Sequence, residues 1–310
     1  MTQLSQLSQD LAALVATGNG AVVRIDGRRG ASASGTAWSA DGVIVAAHHA
    51  LDDDEVEVGL PDGRTVKAEV IGRDPSTDLA VLRTAEAGLA PPAWDADDGP
   101  VAPGELLVAL SRPGRAVRAD IGLVARVSGE LRVPAGGRLD RYLEAGLALQ
   151  PGLSGSLVLA ADGRALGIAS AGLLRGTVLV VPVATLRRVV KALLAHGAIR
   201  RGYLGITSTP VRLPDAAAAL AGQAGALLVS GVEPGSPAER AGLLLGDALL
   251  SLGGAAVEGP RDLAPVLEAE RIGDALPVRL LRGGAVLEVT LTVGVRPQAS
   301  ARHGHERHCG

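Results

Sequence analysis

The sequence predicts a mainly β protein: two antiparallel β units, each a sandwich or a barrel, with a smaller α+β unit behind them. Three observations predict it. Apolar runs recur about every 8–12 residues across 21–82 with no helical period between them. A second block of the same kind spans 104–183, beyond the Asp-, Gly- and Pro-rich connection Asp95–Pro103. From Arg201 strand-like runs flank an Ala-rich helix, Asp215–Leu220.

Composition narrows the function classes. The 310 residues, 47% hydrophobic and 20% charged, are those of a globular chain of two or three domains. A net charge of −3 and only four aromatics (Trp38, Trp94, Tyr142, Tyr203) argue against nucleic acid and against an anionic membrane surface as partners. Cys309 stands alone, which excludes an internal disulfide. No run approaches the ~18–20 apolar residues of a membrane span, and the first residues lack the basic region of a secretory signal, so a cytoplasmic location is expected, or an extracytoplasmic one if the start is mis-assigned.

Taken in order, Leu4, Leu7, Leu11, Leu14 and Val15 recur at helical spacing, predicting a helix over 3–17 that stops at Gly18-Asn19-Gly20. The first β block comprises Ala21–Ile25, Gly35–Trp38, Val43–Ala47, Glu55–Leu60, Thr65–Ile71 and Leu79–Leu82, with Asp41-Gly42 and Asp62-Gly63 as hairpin turns. The second comprises Leu106–Leu110, Ile121–Val127, Leu143–Leu149, Leu157–Leu159, Ala165–Ala169 and Val178–Val181. Val183–His196 reads as an amphipathic helix capped by Gly197. The resulting domains are a helix at 1–19, β units at 20–100 and 104–185, a linker helix at 186–200, the α+β unit at 201–296 and a disordered tail at 297–310.

The chemistry centres on Pro151-Gly152-Leu153-Ser154-Gly155-Ser156. Glycines flanking Ser154 allow a sharp turn that exposes its hydroxyl beside main-chain donors, as an acyl-transfer nucleophile requires. Set against this, a Gly/Ser turn before a strand is most often only a turn. A base and an orienting acid decide between the two. His48 and His49 end the strand Val43–Ala47, and Asp78 stands at the mouth of Leu79–Leu82, where a partly buried carboxylate calls for a partner. The order His, Asp, Ser, with Ser from the second block, is that of a nucleophilic triad built across two barrels.

These segments resemble the HtrA (Deg) serine proteases. The resemblance rests on Asp41–Leu51 for the histidine, Asp62–Leu82 for the aspartate and Pro151–Ser156 for the serine. Arg201–Ile206 with Ser236–Leu243 and Gly246-Asp247 resembles the PDZ domain that follows in that family. It implies two antiparallel β-barrels of the chymotrypsin type and a small α+β PDZ domain. It also implies a serine endopeptidase acting on unfolded or damaged proteins without a cofactor or metal. His49 would be the general base, Asp78 its orienting acid and Ser154 the nucleophile, with the N–H groups of Gly152 and Ser154 as the oxyanion hole. His48 is expected to point the other way.

Leu153, Ser156 and Leu157 replace the family's Asn, second Gly and Pro. Leu153 cannot pair with a new N-terminal ammonium, so zymogen activation of that kind is not expected, and the Ser156 Cβ is expected to crowd the oxyanion hole. The specificity pocket is expected from Ala148, Leu149 and Leu173, which favours a small or medium aliphatic residue. Peptides with apolar C-termini would dock at Tyr203, Leu204, Gly205 and Ile206, with Leu263, Val266 and Leu267 of a helix Pro260–Glu270 as the opposite wall. The family commonly forms trimers through aromatics ahead of the first barrel. Here the first aromatic is Trp38, so a trimer by that route is not expected, and other oligomers are left open. The alternative reading is a catalytically impaired protease-like scaffold or chaperone that binds peptides through its PDZ domain. Asp52–Glu55 reads as a solvated turn, and His303, His305, His308 and Cys309 resemble a metal tract in composition only.

Overall fold

Turn dipeptides and period-two runs close the N-terminal part of the chain into two barrels. The computed structural model describes residues 2–27, 32–86, 88–94, 99–133, 136–199, 202–267 and 271–295. The tail at 297–310, with its His and Cys residues, lies outside them, as do residues 268–270 of the expected Pro260–Glu270 helix.

A first helix, α1 (Gln3–Gly18), is capped by Thr2, whose side chain accepts the Ser5 N–H. It is mostly exposed, and Leu11, Leu14 and Val15 pack on a cluster that includes Val108, Leu110 and Leu159. The first barrel comprises β1 (Val22–Asp26), β2 (Ser32–Ala37), β3 (Val43–Ala47), β4 (Glu55–Gly59), β5 (Thr65–Asp74) and β6 (Leu79–Arg83), in the order β1-β2-β3-β6-β5-β4. The second contains β7 (Leu106–Ser111) and β8 (Arg118–Ser128). A small ribbon, β9 (Leu131–Arg132) with β10 (Arg138–Leu139), follows. Then come β11 (Tyr142–Gly146), β12 (Leu157–Ala160), β13 (Ala165–Ser170) and β14 (Val178–Pro182), in the order β11-β14-β13-β12-β7-β8. Both rings close, so neither leaves an edge strand, and each encloses its own aliphatic core.

The expected linker helix is corrected. Helix α2 (Val183–His196) starts directly from β14 and ends at Gly197, whose N–H donates to the Leu193 carbonyl at 2.8 Å. Its Leu186, Val189, Val190 and Leu193 are buried with Val45, Val81 and Leu179, so residues 183–196 belong to the core of the first compact unit, 1–199. Burying each such side chain is worth about 1.5–3 kcal/mol relative to exposure, which explains why the helix does not stand free.

The second unit, 200–310, has a minor ladder of β15 (Gly202–Tyr203) with a C-terminal strand and a main sheet. Its elements in order are β16 (Ile206–Arg212), α3 (Asp215–Ala221), β17 (Gly225–Val232), α4 (Pro237–Arg240), β18 (Ala248–Leu252) and β19 (Ala255–Ala256). A 3₁₀ segment (Pro260–Leu267), β20 (Ala275–Arg282), β21 (Ala285–Thr292) and β22 (Gly294–Val295) complete it. The sheet runs β16-β17-β18-β20-β21, and one side of β16 pairs with no strand among the described residues. The expected α-helix at Pro260–Glu270 is instead 3₁₀ through Leu267. Pro265 inside it has no N–H for the α-helical ladder.

Candidate active site

The β3–β6 ladder brings the histidine to the aspartate. Its antiparallel register ends at Ala47 opposite Leu79, and the His48 N–H continues it to the Asp78 carbonyl at 3.0 Å. His49 and Asp78 therefore meet although 29 residues separate them. The turn before β6 is built by Asp74. Its buried carboxylate accepts the Ser76 N–H at 3.1 Å and the Ser76 and Thr77 hydroxyls at 2.5 Å each. At the end of that turn Asp78 takes φ = 57°, a left-handed conformation that Asp adopts more readily than most residues.

His49 Nδ1 lies 2.9 Å from Asp78 Oδ1 and 2.8 Å from Oδ2, and its main-chain N–H donates to Oδ1 at 2.9 Å. A ring nitrogen facing two carboxylate oxygens carries the proton, which leaves Nε2 as the basic atom. The hydrogen bond to Asp78 raises the His49 pKa above its ordinary value; burial opposes this, and the aspartate charge reinforces it. His48 shows the opposite shift, downward, chiefly through burial.

A residue that sequence reasoning missed completes this cluster. Ser170, fully buried at the end of β13, donates its hydroxyl to Asp78 Oδ2 at 2.5 Å and accepts the Gly172 N–H at 3.2 Å. The second barrel thus clamps the acid of the first. Gly172 lies so close to the pair that a Cβ there would sit 2.5 Å from His49 Nδ1 and 2.9 Å from Asp78 Oδ2.

Ser154 and His49 line the same cleft, of about 640 Å³. The Ser154 hydroxyl accepts the Ala171 N–H at 3.2 Å. Among the described residues no hydrogen bond joins it to His49, so the serine in contact with the Asp78–His49 pair is Ser170. Ser170 is buried and bonded to the acid, whereas Ser154 is partly exposed and faces the cleft.

The loop carrying Ser154 is fixed mainly through its carbonyls. Ser34 Oγ donates to the Gly152 carbonyl at 2.7 Å, Ser34 N–H to that of Ser154 at 3.2 Å and Thr36 Oγ1 to that of Gly155 at 2.9 Å. In β2 the hydroxyls of Ser32, Ser34 and Thr36 alternate with Ala33, Gly35 and Ala37, a period-two signal visible in the sequence. Gly155, at φ = 84°, passes so close to Ser34 that a Cβ would lie 1.9 Å from its carbonyl oxygen. Ser156 is fully buried, and both its N–H and its hydroxyl donate to the Leu153 carbonyl. The Leu153 side chain is also buried, in the core of the second barrel.

Of the expected specificity residues, Leu149 lines the cleft at 51% exposure with Ala33, Ala50 and Ala171 nearby. Ala148 is exposed outside that lining, and Leu173 packs instead on the cluster around α2. In the second unit Leu204, Leu263 and Val266 are core residues, whereas Ile206 and Leu267 are partly buried at its margin. The Tyr203 hydroxyl donates to Glu233 at 2.5 Å. The Leu204 and Gly205 carbonyls accept the Ala238 and Glu233 N–H groups at 2.8 Å each. No metal-ligand cluster and no helix long and apolar enough to cross a membrane occur among the described residues.

A family profile described as trypsin-like peptidase domain matches residues 33–168, and one described as PDZ domain matches 202–293. A DegP-like periplasmic serine endoprotease of Rhizobium meliloti is 33% identical over 276 residues, covering 86% of this chain and 54% of that protein. One of Chlamydia muridarum is 29% identical, covering 82% of this chain and 52% of the relative. The chain thus spans about half the length of these relatives. Among solved structures, the HtrA-type protease AlgW with a tripeptide is 26% identical with a TM-score of 0.69, covering 94% of this chain and 98% of that one.

Proposed function

The chain belongs to the HtrA/DegP family of trypsin-like serine proteases with a C-terminal PDZ domain, and we propose that it is a serine endopeptidase in which Ser154 is the nucleophile. The observation that carries this reading is the His49–Asp78 pair opening onto the cleft that Ser154 lines. Ser154 Oγ attacks the scissile carbonyl while its proton passes to His49 Nε2. The Gly152 and Ser154 N–H groups receive the negative charge that develops on the carbonyl oxygen. Collapse of that intermediate breaks the C–N bond, and His49 returns the proton to the leaving amine. Water then hydrolyses the acyl-enzyme by the same route in reverse. The missing Ser154–His49 hydrogen bond is compatible with this, since such contacts are often long without substrate.

Substrate preference follows from the cleft. Leu149, Ala33, Ala50 and Ala171 offer an aliphatic lining, and no carboxylate among the lining residues would pair with Lys or Arg. Segments of unfolded protein with small or medium aliphatic residues before the cut are the expected substrates. In the second unit the unpaired side of β16, beside Ile206 and Leu267, would accept an apolar C-terminal peptide as an added strand. The Leu204 and Gly205 N–H groups, which donate to no acceptor among the described residues, would hold its terminal carboxylate.

Incubating the purified chain with an unfolded protein and sequencing the fragments tests the proposal. Cleavage after aliphatic residues, absent with Ser154→Ala, is expected. An intact substrate, or equal cleavage by Ser154→Ala, would favour the impaired scaffold that only binds peptides.

A further inference from the structure

We propose that Arg118 and Ser156 are positioning residues that hold the two oxyanion donors toward the cleft, an inference that rests on Ser154 being the nucleophile. A trans peptide unit points its C=O and its N–H in opposite directions, and no cis peptide occurs among the described residues. Whatever grips the carbonyl of one residue therefore aims the N–H of the next.

Two grips are in place. Arg118, at the start of β8, donates from its guanidinium to the Pro151 carbonyl at 3.1 Å, while Asp120, two residues along the same face, steadies it at 3.2 Å. That contact directs the Gly152 N–H away from Arg118. Ser156 holds the Leu153 carbonyl with both its N–H and its hydroxyl, which directs the Ser154 N–H away from Ser156. The other N–H groups of the turn are occupied: Leu153 donates to Gln150, Gly155 to Ala169 and Ser156 to Leu153. Among the described residues only the Gly152 and Ser154 N–H groups of this turn lack an acceptor, and both residues line the cleft. Gly152 is buried, where a main-chain donor without a partner calls for a reason, and a developing oxyanion supplies one.

Arg118 matters because, among the described residues, no other group hydrogen-bonds the Pro151 carbonyl or the Gly152 N–H. Gly152, with no Cβ, tolerates rotation of that unit, and a rotation would turn the Pro151 carbonyl toward the place meant for the anion. Ser156 has the same function at the second donor. It stands where the resembled family has glycine, so its hydroxyl adds a grip that a glycine lacks.

The test compares Arg118→Met, Arg118→Lys, Ser156→Ala and Ser156→Gly with the unaltered full chain. Measured are kcat and KM on a chromogenic peptide, inhibition by a peptide boronate that forms a tetrahedral anion on serine, and thermal melting. Removing one oxyanion donor typically costs ~10²–10³ in rate. Partial misdirection in Arg118→Met should therefore lower kcat roughly 10- to 100-fold, with KM nearly unchanged and boronate affinity reduced in parallel. Arg118→Lys, which keeps a donor, should recover part of the loss, and Ser156→Ala and Ser156→Gly should behave alike. Unchanged kcat in Arg118→Met, or a loss appearing wholly in KM, overturns the proposal even if a Ser156 variant fails to fold. Absence of turnover in the unaltered chain instead overturns the assignment of Ser154 itself, which separates the two failures.

Discussion

Ser170 donates its hydroxyl to Asp78 Oδ2 at 2.5 Å, a contact between the second barrel and the acid of the first across 92 residues of sequence. The acid is thus held from three directions: by His49 Nδ1, by the His49 main chain and by Ser170. Hydrogen bonds to charged groups contribute about 1.5–3 kcal/mol, so Ser170→Ala should destabilise the N-terminal unit by about that amount. Denaturant melts measure it, and activity should fall less than when Asp78 itself is changed.

Asp78→Asn keeps the shape of the acid but supplies an amide where the carboxylate accepts from Nδ1, which favours the wrong tautomer of His49. A loss of roughly 10⁴-fold in kcat is expected, as for the equivalent change in a triad of this kind. Melting should change little by comparison, and steady-state kinetics on a short peptide would show both.

The raised pKa of His49 sets the pH dependence. The base must be neutral to take the Ser154 proton, so kcat/KM should rise with pH through an apparent pKa above the ordinary imidazole value of 6.5. Losing the Asp78 charge moves that limb to lower pH. For stability the sign is opposite to that for activity. The pairing of protonated His49 with Asp78 stabilises fully below the unfolded-state pKa and fades as pH rises through the folded-state value. Melting curves of the unaltered chain and of His49→Ala across this window would reveal the difference.

Gly172→Ala places a Cβ 2.5 Å from His49 Nδ1 and must displace the ring. The expected result is a folded chain, destabilised by about 1–3 kcal/mol through overpacking, with little activity. Circular dichroism with a peptide assay separates the two effects.

Gly205→Ala tests the loop of the second unit proposed to bind peptides. At φ = 80°, with a new Cβ 2.1 Å from that of Ser236, the substitution strains the backbone and collides with α4. Binding of an apolar C-terminal peptide, followed by fluorescence polarisation, should be lost, while modification of Ser154 by a small reagent persists.

The residues that made the fold legible carry their signal locally. Alternation and Asp-Gly turns mark the strands without reference to distant partners, and the helical period of Val183–His196 gave bounds that match α2. The partner of that helix was not legible, since an apolar face does not say what it will cover. That His49 meets Asp78 was readable from their order and strand-end positions. Ser170 was not, because a serine ending the strand Ala165–Ser170 differs in no way from other strand-end serines until β13 is placed against β6. Likewise the cleft takes Ala33 and Ala50 from the first barrel, a proximity that spacing along the chain does not announce. The contacts of Ser156 were only partly legible for a related reason. Its Cβ could be anticipated, but the direction of its hydroxyl depends on the turn.

Whether Ser154 is a nucleophile can be read directly by treating the chain with a serine-reactive fluorophosphonate and mapping the adduct by mass spectrometry. One phosphonyl group is expected, on Ser154, formed more slowly in Asp78→Asn and absent in Ser154→Ala. No adduct on the unaltered chain, or an adduct on Ser170 instead, would contradict it.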